Sequence, residues 1–119
     1  MSRPRPFESV RGSTTGRPIM VLLDALGRRW TLRVLWELRR GPLSFRGLQD
    51  ACDGVSPSVL NARLGELREL ALIDLGADGY VLTADARKLG EFLVPLDAWA
   101  EAWAQRLNPP AQPKRKQPR

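Results

Sequence analysis

The sequence predicts a mainly helical α+β domain, and three observations lead to this fold class. Residues 43–72 contain two short helical segments joined by a glycine-containing turn. Two β-prone runs follow at once, and the Asp-Gly pair between them favours a hairpin. A long amphipathic segment then extends to residue 107. A helix-turn-helix, a hairpin and a long helix in this order predict a winged helix-turn-helix with a short wing.

Two helices are expected ahead of that unit. The first should begin at Pro18, which suits the first helical position, and should end at Leu26. The second is expected over residues 29–40, because Gly41 and Pro42 stop a helix. The residues of the second helix expected to face the core are Trp30, Val34, Leu35 and Leu38.

The helix-turn-helix has clear start and stop signals. Ser44 is a good N-cap for a helix over about residues 45–52, and Gly54 accepts the left-handed conformation that ends it. Val55 supplies an apolar plug in the turn before the next helix. The apolar face of this helix is expected to consist of Phe45, Leu48 and Cys52.

The following helix has two different faces. Ser56 is a strong N-cap and Pro57 suits the first helical position. An apolar stripe should face the core, whereas the opposite face is small and polar, as a helix needs to approach base edges in a major groove. The expected stripe is Leu60, Leu64, Leu67 and Ala71. The expected outer face is Ser58, Asn61, Ala62 and Gly65. Taken alone, residues 43–72 would also fit a plain helical hairpin in a bundle.

A DNA-contacting set follows from this reading. Asn61 can donate and accept together, which suits adenine, and Ser58 can reach a base or a phosphate. Arg46, in the first turn of its helix, is a candidate for phosphate contact. Arg63 lies beside the apolar arc, so an internal tie to Glu66 or the wing is favoured slightly over phosphate contact. The whole expected set is Ser44, Arg46, Ser56, Ser58, Asn61, Ala62, Arg63 and Gly65.

The C-terminal part combines the hairpin with the long helix. The β-prone runs are residues 71–75 and 80–83, and Thr83 can cap the helix that follows. Pro95 is expected to kink or interrupt that helix, because proline lacks the helical N–H donor. Its apolar face should comprise Leu89, Phe92, Leu93, Leu96, Trp99, Trp103 and Leu107. These are more large apolar residues than a domain of this size needs for its own core, which predicts a homodimer.

Several motifs share an order with one family of regulators. They are Pro18-Ile19, the block at residues 23–32, the blocks at 35–38 and 41–43, Phe45, Leu48, Ser56-Pro57 with Leu60, Arg63, Leu64 and Leu67, and Leu82-Thr83. Over about three quarters of its length the chain thus resembles the HxlR-type winged-helix transcription regulators of bacteria. The resemblance implies homodimers on inverted-repeat operators, usually as repressors and sometimes as activators. It also implies a dimer interface made by the first and last helices. The expected interface residues are Ile19, Leu22, Leu23, Leu96, Trp99 and Trp103.

Two departures from the family pattern matter. Members that sense oxidants or electrophiles carry a cysteine directly before the proline of the first helix, where this sequence has Arg17. That sensing chemistry is therefore not expected, and the single thiol, Cys52, is expected to be a buried structural residue. Wings of the family are usually longer and carry basic or polar tips. Here the wing, residues 72–82, contains Asp74 and Asp78 but no Lys or Arg, so we expect it to contribute little to phosphate binding.

Charge is concentrated at the two ends of the chain. The net charge is +6 overall, with +3 in residues 1–17 and +4 in residues 108–119. Residues 18–107, the expected DNA-binding and dimerisation domain, have 11 basic and 12 acidic side chains and a net charge of −1. Some of these charges are expected to pair at a helical spacing of four, as Asp24 with Arg28 and Arg33 with Glu37. Both flanks are poor in apolar residues, which predicts disordered basic arms. They are either solubilising tails or arms that lie along DNA.

Composition excludes most other function classes. With no His and one Cys, neither a zinc site nor an internal disulfide is expected, and a reducing cytoplasm fits. We expect no cofactor, no membrane span and no enzymatic activity, since no catalytic motif is present. The sequence predicts a dimeric, sequence-specific regulator whose partners are double-stranded DNA and a second copy of itself, with any small-molecule effector unknown. The alternative is a winged-helix protein-interaction module that does not read DNA.

Overall fold

A computed structural model describes residues 17–109 of the chain. These residues belong to two compact units, which meet in the sequence between Arg87 and Lys88. The elements are α1 (Pro18–Leu26), α2 (Thr31–Leu38), α3 (Phe45–Ala51), α4 (Pro57–Glu69), β1 (Ile73–Gly76), β2 (Gly79–Leu82) and α5 (Ala84–Leu107). Five helices and one antiparallel hairpin confirm the predicted mainly helical, winged helix-turn-helix architecture.

The first unit has a single aliphatic core. Leucines of α4 lie at its centre, and each side chain is almost completely buried. The other helices and the hairpin each contribute at least one buried side chain to this core. The buried residues are Val21, Thr31, Val34, Leu35, Leu38, Leu48, Cys52, Val55, Leu60, Leu64, Leu67, Leu72, Ile73, Leu82 and Ala86. This set confirms Val55 as the plug of the turn and Cys52 as a structural residue.

The wing is a short hairpin that pairs with the chain upstream. Ile73 pairs with Leu82 and Gly76 with Gly79, which leaves a two-residue turn. Leu43 adds a further bridge, because its N–H and C=O exchange hydrogen bonds of 3.1 and 2.8 Å with Tyr80. A Cβ atom at Gly79 would lie 2.5 Å from the Leu43 carbonyl oxygen. Glycine is therefore required where the wing crosses the start of the helix-turn-helix.

Several boundaries of helices and strands differ from those expected. Helix α2 begins at Thr31 because Trp30 takes the left-handed conformation with φ of 79°, and its indole is only half buried. Ala71 is exposed, has φ of 58° and lies beyond the end of α4, so its assignment to the apolar stripe was wrong. The stripe ends at Leu67. Hairpin pairing accordingly begins at Ile73 and not at residue 71.

Helix α5 begins at the predicted cap. The Thr83 hydroxyl accepts a hydrogen bond of 3.2 Å from Ala86 N and donates one of 2.7 Å to the Ala71 carbonyl. The helix continues through Pro95 without interruption, so of the two expected effects only a kink stays a prediction. In the second unit its large apolar side chains are mostly exposed.

The predicted arms lie outside the described residues except for Arg17, Asn108 and Pro109. Within the described part, no helix is long and apolar enough to cross a membrane. No group of three or more potential metal ligands occurs among residues 17–109.

Candidate nucleic-acid interface

The start of α4 is capped by Ser56. Ser56 Oγ accepts a hydrogen bond of 3.2 Å from Val59 N and lies 3.4 Å from Ser58 Oγ. Pro57 occupies the first helical position, where its missing N–H leaves no donor unsatisfied. The N-terminus of α4 is therefore fixed by its own sequence, as Ser56-Pro57 predicted.

One side of α4 is presented outward over its first three turns. We call this the reading face; it consists of Ser58, Asn61, Ala62 and Gly65, all exposed. The opposite stripe is at most 2% exposed, so the rotation of the helix about its axis is set by the core. The Asn61 amide makes no hydrogen bond within residues 17–109, and a Cβ at Gly65 would meet nothing within 4 Å. This face can approach a flat or grooved surface closely.

The start of α3 carries two further predicted contacts. Ser44 Oγ caps the helix by accepting a hydrogen bond of 2.9 Å from Gly47 N, and its hydroxyl proton stays available for donation. Arg46, in the first turn, is exposed and makes no ion pair with any residue of the described chain. Arg46 is thus able to meet an external anion.

Arg63 stands apart from the reading face. Its side chain is only 19% exposed, and its Nε lies 3.3 Å from Glu66 Oε1 in an ion pair that is not a well-aligned hydrogen bond. This arrangement matches the internal tie to Glu66 that the sequence favoured. Of the eight expected DNA-contacting residues, Arg63 is the one that the structure draws inward.

A long-range ion pair reaches the same part of α4. Arg28 Nη1 donates a hydrogen bond of 2.9 Å to Glu66 Oε2, while its Nη2 donates one of 3.1 Å to Asp24 Oδ2. Hydrogen bonding to Asp24, assisted by Glu66 and opposed by burial, raises the pKa of Arg28 above its ordinary value. The contact to Asp24 was predicted from their spacing of four, but nothing local predicts a partner 38 residues away.

A second arginine connects α2 to the end of α3. Arg33 Nε donates to Glu37 Oε2 at 2.8 Å, as their spacing predicted, and Nη2 donates to the Ala51 carbonyl at 2.7 Å. Hydrogen bonding to Glu37 raises the pKa of Arg33. The guanidinium therefore satisfies a C-terminal carbonyl of α3 and helps to hold the turn.

The surroundings of the Cys52 thiol disfavour its reactive form. Cys52 follows α3 and is completely buried. Burial raises the pKa of the Cys52 thiol, with a smaller opposing influence from Arg33. The reactive thiolate is therefore disfavoured at neutral pH.

The wing is acidic on its surface. Asp74 and Asp78 are exposed, and Asp74 Oδ1 accepts a hydrogen bond of 2.9 Å from the N–H of Leu75. The Leu75 side chain is itself 51% exposed. A wing of this composition repels phosphate and leaves the helix-turn-helix as the main candidate surface for DNA.

The residues expected at a dimer interface are mostly exposed in their respective units. On α1, Ile19 and Leu23 are exposed, whereas Leu22 is half buried. On α5, Trp99 and Trp103 are 55% and 44% exposed, and their rings stack with centres 5.6 Å apart at an angle of 11°. Leu96 is also exposed. Each unit thus has an apolar helix face that the described chain leaves uncovered.

Comparison with known proteins gives one consistent result. Residues 25–108 match the HxlR-like helix-turn-helix family. An HTH-type transcriptional regulator of Methanocaldococcus jannaschii is 29% identical over 94 residues, which cover 76% of this chain and 89% of that protein.

Solved structures agree with this result. The quinone-bound form of YodB from B. subtilis has a TM-score of 0.67 and 25% identity, covering 71% of this chain and 96% of YodB. A transcriptional regulator of the MarR family from Enterococcus faecalis has a TM-score of 0.64 and 27% identity, covering 80% and 96% of the two chains. The winged fold, the outward helix after the turn and these matches lead to one conclusion. The chain belongs to the HxlR-like helix-turn-helix family and is a DNA-binding transcription regulator.

Proposed function

We propose that this regulator is a homodimer that recognises an inverted-repeat operator with the reading face of α4 and acts as a repressor. The observation that carries the proposal is the reading face itself. It is small, polar and exposed on a helix whose opposite stripe is locked in the core. A helix placed in this way can lie in a major groove without rearrangement of the fold.

Each residue of the proposed interface has a role that its surroundings support. Asn61 is the base-reading residue, because its unengaged amide can bond adenine N6 and N7 together. Ala62 and Gly65 let the backbone approach the base edges. Ser44 and Ser56 can donate to phosphates from the two helix starts, where the partial positive charge also attracts anions. Arg46 supplies a full positive charge beside them.

The dimer is supported by the two uncovered apolar faces. Stacked indoles such as Trp99 and Trp103 are typical anchors of protein interfaces. A second copy of the chain offers the same faces, as a twofold interface requires. Two symmetric reading faces then require two half-sites separated by about 10 base pairs or a multiple of that distance.

Repression requires no surface beyond the reading face and the dimer interface. A dimer that occupies a site overlapping a promoter excludes the polymerase by occupancy alone. We therefore propose simple occlusion, in the cytoplasm, where a bacterial or archaeal chromosome lies. No catalytic step is part of this proposal.

Selection from a randomised duplex library tests this function. The full chain is incubated with the library at 150 mM salt, and bound duplexes are amplified and sequenced over several rounds. We expect enrichment of an inverted repeat with half-sites about 10 base pairs apart, centre to centre. Enrichment of no sequence, or of a single unrepeated site, would contradict the proposal.

One observation supports a second candidate function. The wing is acidic with an exposed leucine, and residues 18–107 have a net charge of −1. These features suit a protein-interaction module that does not read DNA. A salt titration separates the two functions, because phosphate contacts make affinity for duplex DNA fall steeply with salt. An affinity near the millimolar range at low salt, without salt dependence, would favour the second function.

A further inference from the structure

The side chain of Arg28 connects two helices that the proposed function gives different tasks. Arg28 follows the end of α1, the helix proposed for the dimer interface, and bonds back to Asp24 on that helix at 3.1 Å. Its other arm bonds Glu66 on α4 at 2.9 Å. We call this arrangement the Arg28 bridge. One planar guanidinium thus has one donor directed at each helix, a geometry that a lysine ammonium cannot reproduce.

The bridge contacts α4 at the border of the reading face. With about 100° per residue, Glu66 lies on the helix surface directly beside Ala62 and between the reading face and Arg63. Arg63 Nε approaches the other oxygen of the same carboxylate at 3.3 Å. Glu66 is therefore held from two sides at the border of the reading face. The core fixes which side of α4 faces outward. A change in the position of Glu66 would alter the finer orientation of that face relative to α1.

Stability alone gives a weaker account of the bridge. Its side chains are between 20% and 33% exposed, so solvent screens these ion pairs in part and reduces their contribution to the folding free energy. The core already holds α4 through Leu60, Leu64 and Leu67. What the bridge adds is orientation, since two charge-assisted hydrogen bonds from one planar guanidinium restrict geometry as well as supplying energy.

We propose that Arg28 is a positioning residue for DNA recognition, which sets the orientation of the reading face relative to α1 through Glu66. The inference rests on the proposed function, because it assumes that α4 reads bases and that α1 lies at the dimer interface. Arg28 itself does not contact a base in this scheme. Its effect falls on the discrimination between sequences, and the general affinity for DNA changes only by the loss of one charge.

The test compares two duplexes of equal length and composition. One is the duplex most enriched by the wild-type chain in the selection described above, and the other is its scrambled version. The quantity measured is the dissociation constant of the scrambled duplex divided by that of the selected duplex, at 150 mM salt. Arg28→Met and Glu66→Gln should each lower this ratio about 3- to 10-fold, which lies within the range of coupling between contacting residues. The double variant should lower it no further than the larger single effect.

Arg29→Met is the matched control. Arg29 is the next residue, is exposed and lies over its neighbour Trp30, with the guanidinium carbon 5.4 Å from the ring centre. The Arg29→Met substitution removes the same charge without changing the bridge, so it should weaken binding to both duplexes equally and preserve the ratio. Loss of folded protein would also act on both duplexes equally, and the thermal midpoint of each variant is measured to show it. Arg28→Lys should give an intermediate ratio.

The outcomes separate the two proposals. A wild-type chain that enriches no duplex overturns the proposed function and the inference with it. A wild-type chain that discriminates, with an unchanged ratio in Arg28→Met or in Glu66→Gln, overturns the inference alone. Additive losses in the double variant would show that Arg28 does not act through Glu66, and would also overturn it.

Discussion

Helices α4 and α5 both have an apolar stripe, but the two stripes end in opposite environments. On α4, Leu60, Leu64 and Leu67 are buried by the fold of a single chain. On α5, Trp99 and Trp103 remain about half exposed. The comparison teaches that apolar periodicity identifies a face that must be covered, while only the structure shows what covers it. For α4 the cover is the domain core, and for α5 we propose a second copy.

The exposed side of α4 has a character of its own. Opposite its buried stripe, α4 presents the reading face, whose four residues carry no charged side chain. A helix face without a partner would more often carry Lys and Glu, whereas these small side chains permit close approach. The same helix is therefore anchored in the core on one side, and we propose that it reads bases with the other. The predictions below test this division, beginning with the largest expected effect.

Truncation of a side chain in the α4 stripe should cause the largest loss of stability. Leu64→Ala should reduce the free energy of unfolding by about 2–5 kcal/mol, because it leaves a cavity in a closely packed core. Urea denaturation at a fixed chain concentration measures this change. Leu75→Ala is the control, because Leu75 is exposed on the wing and its loss should change stability by less than about 0.5 kcal/mol. Equal losses would show that α4 is not the centre of the core.

Truncation of the α5 stripe should act on association. Trp99→Ala should weaken the dimer by about 2 kcal/mol or more, roughly 30-fold, as for an aromatic anchor of an interface. Sedimentation over a concentration series gives the dissociation constant. Trp36→Ala is the matched control, because this indole is also exposed but lies on α2 beneath Arg39. A wild-type chain that sediments as a clean 13.3 kDa monomer at micromolar concentration would contradict the dimer.

The basic C-terminal segment should supply part of the general affinity for DNA. Deletion of residues 109–119 should flatten the dependence of log affinity on log salt by about one unit or more, while preference between sequences stays the same. A full-length variant with Gln at Lys114, Arg115, Lys116 and Arg119 should behave like the deletion, which separates charge from length. An unchanged slope in both variants would assign the phosphate contacts to residues 18–107, around Arg46.

A single methyl group on the reading face should have opposite effects on folding and on binding. Gly65→Ala should stabilise the chain by about 0.5–1 kcal/mol, because the new Cβ meets nothing within 4 Å and glycine is a poor helix former. It should weaken operator binding, because that methyl then occupies the space needed by the base edges. Gly90→Ala on α5 is the control, since its Cβ also meets nothing within 4 Å. It should stabilise without weakening DNA binding.

Much of the first unit could be predicted from local sequence. Capping serines at Ser44 and Ser56 and the terminal prolines located α1, α3 and α4, because these signals act within one helical turn. Spacing of four also predicted the Asp24–Arg28 and Arg33–Glu37 pairs.

What local sequence missed depends on residues far apart in the chain. The Leu43–Tyr80 bridge and the Arg28–Glu66 contact each join positions more than 30 residues apart, which no periodicity records. The left-handed turns at Trp30 and Ala71 were missed because neither residue type favours that conformation. The reading face was located by sequence as a surface, while its role in DNA binding stays a prediction.

One measurement tests the central claim, that the exposed face of α4 reads bases. Asn61→Ala is compared with the wild-type chain on the selected duplex and on its scrambled version at the same salt concentration. The account predicts a loss of about 1–3 kcal/mol on the selected duplex and almost none on the scrambled one. An equal loss on both duplexes, or no loss on either, would contradict it.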